Sequence, residues 1–227
     1  MRNSLLTMFA LLAASPMALH AQKAVDRLAA AADVLTDMMR ASDKGIPQDL
    51  MNRASCVVIV PNLKKAGFIV GAKYGRGFAM CRRASGTGWT APASMRVEGG
   101  SFGLQIGGTE QDIILLVMSD SGMKHLLEDK FTLGGNASAA AGPLGRDASA
   151  ETDAELHAEM LSYSRSRGLF GGLTLEGATL RPDVDANKEL YGRDIDNKEI
   201  LTGDVKAPAA AAKLEDLLNK NSLRRTG

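Results

Sequence analysis

Histidine and cysteine are scarce in this chain: three of the first and two of the second in 227 residues. No H-x-x-x-H or C-x-x-C spacing links them, so a transition-metal centre has no ligand set. Net charge is +1, which removes the whole-molecule attraction that draws basic proteins to nucleic acid. Glycine is abundant, with 24 residues, but carries no Gly-X-Y period, so a collagen helix is excluded. Long apolar runs are missing after residue 21. The longest, Ile113 to Met118, is far short of the roughly 20 residues that span a bilayer, so the rest of the chain is expected to be soluble. Acid is missing locally: no aspartate or glutamate occurs between Leu50 and Val97.

Enzyme signatures are equally thin. No G-x-x-x-x-G-K-[ST] element occurs. Ser121-Gly-Met-Lys124 fits S-x-x-K, but the S-D-N and K-T-G elements that would accompany a penicillin-binding site do not follow. Asp183, Asp185, Asn187 and Asp194 echo a calcium loop. Lys188 stands where the turn needs glycine, and aspartate where a bidentate glutamate is usual, so helix capping explains these residues more simply. No catalytic residue, metal or cofactor is expected.

The chain opens with an apparent address. Arg2 precedes an apolar run from Leu5 to Leu19, and small residues surround Ala21. This is the layout of a cleaved signal peptide, with the cut expected between Ala21 and Gln22 although Leu19 fills the −3 position. No cysteine follows the run, which excludes a lipoprotein anchor. The reading is therefore a periplasmic or secreted protein. Export would place Cys56 and Cys81 in an oxidising compartment, where an even pair reads as one disulfide; two buried thiols are the other reading.

Beyond the leader, Val25, Leu28, Ala32, Leu35 and Met39 mark an amphipathic helix over 23–42, and Gln48 to Ala54 a shorter one. From Cys56 the texture is β-branched and glycine-punctuated, predicting strands and hairpins with a turn at Gly99-Gly100. Ser119 or Asp120 caps a short helix through Asp129. Residues 134–145 read as a loop, and alternation through Ala154, Leu156, Ala158 and Met160 as a strand. Further helices are expected over 183–190 and 209–219, before a basic end at Arg224-Arg225. The fold class is α+β: a glycine-rich antiparallel sheet or partly closed β-barrel flanked by N- and C-terminal helices. The expected boundaries are 1–21 for the signal, 22–200 for the domain, and 201–227 for a linker, helix and tail.

Eight cations, Arg53, Lys64, Lys65, Lys73, Arg76, Arg82, Arg83 and Arg96, fill the acid-free stretch. They describe either a positive face or a solvated surface balanced by acids elsewhere. Lys64 and Lys65 sit at an expected turn, Lys73 and Arg76 flank Gly75, and Arg82 and Arg83 close a strand. Trp89 reads as core.

The segments CVVIVPNLKKAGFIVGAKYGRG, GWTAPASMRVEGGSFGLQIGGTEQDIILLVM, AAGPLGRD, SYSRSRGLFGGLTLEG and NKELYG together resemble the SYLF domain family over about Ala32 to Gly192. That resemblance implies a non-catalytic phospholipid-binding module, with phosphatidylinositol lipids as the eukaryotic ligand and actin binding in some fungal members. For an exported chain it implies an anionic phospholipid or membrane surface as partner, with actin set aside. Lys64, Lys65, Lys73, Arg76, Arg82 and Arg83 are the candidate lipid-binding residues, chosen on charge. The other reading is a cell-envelope structural or interaction module holding an envelope protein and no lipid.

Overall fold

From Cys56 to Cys81 the chain stays extended for 26 residues as β1, and β2 (Ala93–Val117) returns beside it. Their antiparallel ladder runs from Cys56↔Val117 to Ala79↔Ala93, with register shifts between Val60 and Leu63 and between Gly67 and Ile69. The computed structural model describes residues 16–41, 44–145, 157–166, 169–172 and 175–222. The expected chain of short hairpins is corrected here, because Gly99 and Gly100 pair with Lys73 and Ala72 within the ladder rather than forming a turn.

The ribbon folds over on itself. Cys56 and Cys81, at the two ends of β1, are joined by a disulfide, and the Arg82 amide donates to the Ser55 carbonyl at 2.9 Å. Gly77 makes that approach possible, since a Cβ there would stand 2.0 Å from the Ile59 carbonyl oxygen. Asn62 takes up the first register shift with φ of 51°, and its amide donates to Asp112 Oδ1 at 3.0 Å.

The remaining strands extend the ribbon on both flanks. β5 (Met160–Ser166) pairs with the C-terminal half of β2, and β7 (Ala178–Pro182) with its N-terminal half. β3 (Phe131–Thr132) adds to β7, while β4 (Ala139–Ala141) and β6 (Leu169–Gly172) add to β5. β4 lies inside the expected loop over 134–145. The strand expected around Ala154 lies outside the described residues up to Leu156, and β5 begins at Met160.

Both faces of this curled sheet are covered, which is why Val57 to Val60 and Ile113 to Val117 read as unbroken apolar runs. The inner face packs Val58, Val60, Leu115 and Val117 against Phe131, Leu133 and Leu180. α3 (Asp120–Leu126), capped by the Ser119 side chain, and α5 (Asn197–Thr202) close that side. The outer face packs Val57, Ile59, Ile114 and Leu116 against α1 (Pro16–Arg40), α2 (Gln48–Arg53) and α6 (Ala212–Asn221). Leu28, Leu35, Leu50, Leu214 and Leu218 are the wedges, each worth roughly 1.5–3 kcal/mol when fully buried. α4 (Val184–Tyr191) and a 3-10 turn (Ala209–Ala211) complete the order.

The molecule is therefore α+β, a curled and mostly antiparallel sheet, with β4 parallel to β5, flanked by helices from both ends of the chain. Helix α1 runs unbroken through Ala21 and Gln22, where the sequence predicted a cut. Residues 1–15, the start of the expected leader, and Arg224-Arg225 lie outside the described residues. Among the described residues no helix is long and apolar enough to cross a membrane.

Candidate functional site

Strand alternation divides the six candidate cations among three places. Lys64 and Arg76 point outward and line a groove of about 570 Å³ between α1 and β1, with Asp26, Arg27, Asn62 and Tyr74. Lys65 and Lys73 are partly and almost fully buried. Arg82 and Arg83 lie at the far end of the ribbon, beside a different cavity of about 730 Å³. The six residues do not make one face.

Each end of the ribbon uses its arginines differently. The Arg82 guanidinium donates to the carbonyls of Met51, Asn52, Ala54 and Ser222 at 2.9–3.3 Å. It is an internal brace. Arg83 donates to the Trp89 carbonyl at 2.8 Å and pairs with Asp204 at 2.7 Å. Trp89 itself is core, and its indole N–H donates to Ser222 Oγ at 3.0 Å.

The outward groove is organised by a carboxylate the sequence reading had assigned to helix capping. Asp183 stands at the N-cap of α4, but its side chain turns into the sheet and is wholly buried. Its oxygens face Arg76 Nε at 3.2 Å and Arg96 Nε at 3.7 Å. Arg76 also donates to the Tyr74 hydroxyl at 2.7 Å, which fixes a tyrosine that is 43% exposed. Burial, and then the charge of Arg76, hold Arg27 below its ordinary pKa. Arg27, Lys64 and Arg76 thus surround a presented aromatic ring together with Asp26 and the buried Asp183. Tyr74, Arg27 and Asp183 were not singled out as site residues. The visible signal was a rare tyrosine, one of three, set between Lys73 and Arg76.

A second network sits at the register shift. Arg165 on β5 donates to Asp112 Oδ2 from Nη2 at 2.6 Å and from Nε at 3.0 Å, and also pairs with Asp37 of α1. It joins one helix to two strands, and the Asn62 amide completes the carboxylate's bonds.

The enzyme-like motifs are absorbed by structure. Ser121 lies in α3, where it helps to hold the Glu159 carboxyl below its ordinary pKa. Lys188 pairs with Asp194 at 2.9 Å, which occupies two positions of the calcium-like run. Among the described residues no group of three or more histidine, cysteine or acidic side chains could hold a metal.

Residues 98–221 match the family model described as Las17-binding protein actin regulator. An SH3 domain-containing protein of Schizosaccharomyces pombe is 41% identical over 177 residues, covering 77% of this chain and 41% of that protein. Protein YSC84 of Saccharomyces cerevisiae is 35% identical over 188 residues, covering 82% and 40%. The human SH3 domain-containing YSC84-like protein 1 is 34% identical over 178 residues, covering 78% and 52%. The chain thus spans 40 to 52% of the length of these relatives.

These names describe binding and regulatory proteins rather than enzymes, and two expectations are corrected by them. The anionic phospholipid, membrane surface or envelope protein expected as partner, with actin set aside, gives way to a family described as Las17-binding and to relatives named for Las17 binding or SH3 domains. The expected periplasmic or secreted location goes with it. The matching relatives are eukaryotic proteins of that kind, and nothing in them supports export.

Proposed function

This chain belongs to the Ysc84 family of Las17-binding actin regulators, and we propose that it is a non-catalytic module that docks a protein of the actin-regulatory machinery. The family match over 98–221 carries this reading. The outward groove supplies the docking surface. Tyrosine and arginine dominate binding hot spots because they bring large contact area and directional hydrogen bonds at small entropic cost. Tyr74 is presented there beside Arg27, Lys64 and Arg76. Arg27, Lys64 and Arg76 offer donors to the carboxylates of an acidic protein segment.

Co-sedimentation of the 227-residue chain with actin filaments, together with capture by a Las17-type protein, tests the reading. Binding to one of them, weakened at least tenfold in Tyr74→Ala with Lys64→Glu, is the expected result. Both substitutions are at exposed positions, so Tm stays unchanged. No binding to either protein would overturn the function. Undiminished binding by the double variant would remove the groove.

A further inference from the structure

Lys73 is a buried cation without a counterion among the described residues. Its side chain is on the inner face of β1 and the residue is 7% exposed. Its ammonium spends one donor on the Glu176 carbonyl at 3.0 Å, and among the described residues it pairs with no carboxylate. Gly99, directly across the ladder, leaves room for it: a Cβ there would stand 3.1 Å from Lys73 Cε. An ammonium removed from water is costly unless a negative group meets it.

Lys65 is in the same position. It is partly buried, pairs with no acid among the described residues, and lies close enough for its charge to add to burial in lowering the Lys73 pKa. Burial likewise lowers Lys65. A cavity of about 660 Å³ opens beside Lys65, lined also by Gln111, Thr109 and Arg165. Gln111 pairs with Leu63 across the ladder, two positions along the same face from Lys65. Its Nε2 is buried and has no hydrogen-bond partner among the described residues.

The acids that line this cavity are already engaged. Asp112 receives Arg165 and the Asn62 amide, and Glu110 faces Lys64. What remains is a set of donors: two ammonium groups that meet no carboxylate among the described residues, and a buried carboxamide N–H₂ without a hydrogen-bond partner among them.

We propose that the inner mouth of the curled sheet, at Lys65, Lys73 and Gln111, is an anion site for a phosphate-class oxyanion, free or at the end of a small phosphorylated molecule. The chemistry follows from the donors. A tetrahedral oxyanion accepts from several N–H groups at once and neutralises both cations, which a single chloride does not. The cavity beside Lys65 adjoins the groove at Tyr74, sharing Asn62 and Lys64 with it, but Lys65, Lys73 and Gln111 are not groove residues and the site does not depend on the protein-docking reading.

The test uses the 227-residue chain with inorganic phosphate against chloride at fixed ionic strength, followed by calorimetric titration and thermal unfolding. Phosphate at ten times its dissociation constant is expected to raise Tm by about 4 °C. Lys65→Met with Lys73→Met keeps the aliphatic stems and removes both charges. It is expected to abolish the phosphate-dependent gain while raising the Tm measured in chloride. Gln111→Leu is expected to weaken phosphate binding severalfold. Ribose 5-phosphate binding at least fivefold tighter than phosphate would assign the site to a phosphorylated small molecule, and equal affinity to the free anion. No phosphate-specific gain in the parent chain, or the same gain in the double variant or in Lys65→Met alone, would overturn the proposal.

Discussion

The guanidinium carbon of Arg82 lies 4.7 Å from the centroid of the Trp89 ring. With one face on the indole, its edge reaches the carbonyls of Met51, Asn52 and Ala54 at the end of α2 and of Ser222 after α6. A planar fork with five donors can serve four carbonyls and a ring together; an ammonium cannot. Arg82→Lys is expected to cost about 3 kcal/mol, because at least two hydrogen bonds to a charged group are lost. Urea unfolding measures it, and a loss below about 1 kcal/mol would sink the bracing role.

Asp183 is the central anion of the groove side, buried between Arg76 and Arg96. Asp183→Ala leaves two arginines facing each other without a counter-charge. A buried ion pair that loses one partner costs about 3–5 kcal/mol. Asp183→Asn keeps the shape but not the charge, and should recover only a minor part. Thermal unfolding of the pair of variants separates charge from packing. Full recovery of the parent chain's stability in Asp183→Asn would show that shape alone matters.

Glu215 on α6 titrates against the fold. Burial raises its pKa, Arg83 opposes the rise, and Asp216 adds to it; Oε1 is buried without a hydrogen-bond partner among the described residues. The folded chain therefore holds this proton more tightly than the unfolded chain. Its contribution to stability is complete below the unfolded carboxylate range and is lost as pH rises through the raised folded value. Glu215→Gln should raise Tm at neutral pH and leave it unchanged near pH ~3, where the carboxyl is protonated in both states. A variant that unfolds at the same temperature as the parent chain at both pH values would refute this.

Local features were legible in the sequence and distant pairings were not. The stripe from Val25 to Met39 gave α1, and the Ser119 cap gave the start of α3, since both signals lie within one helical turn of what they determine. The family resemblance was also legible, in motifs that recur in order. Glycine misled, because a strand that must pass close to its neighbour needs the same residue as a turn. Gly99 and Gly100 serve the first purpose and were read as the second. The basic stretch misled for another reason: charge is written locally, but its compensation is not. Arg83 meets Asp204 across 121 residues, and Arg82 meets Ser222 across 140. Lys65 and Lys73 were found, but their inward direction depends on the register shifts, which composition does not encode.

The long ribbon also sets an order of events during folding. Its pairs are nested: Ala79↔Ala93 closes the shortest loop, and Cys56↔Val117 the longest. Loop-closure entropy favours starting at the short end and zipping outward. Cys56 reaches Cys81 only after the ladder has zipped to its last rung and the ribbon has doubled back. In oxidative refolding, disappearance of the two thiols is therefore a clock that stops when the sheet is complete.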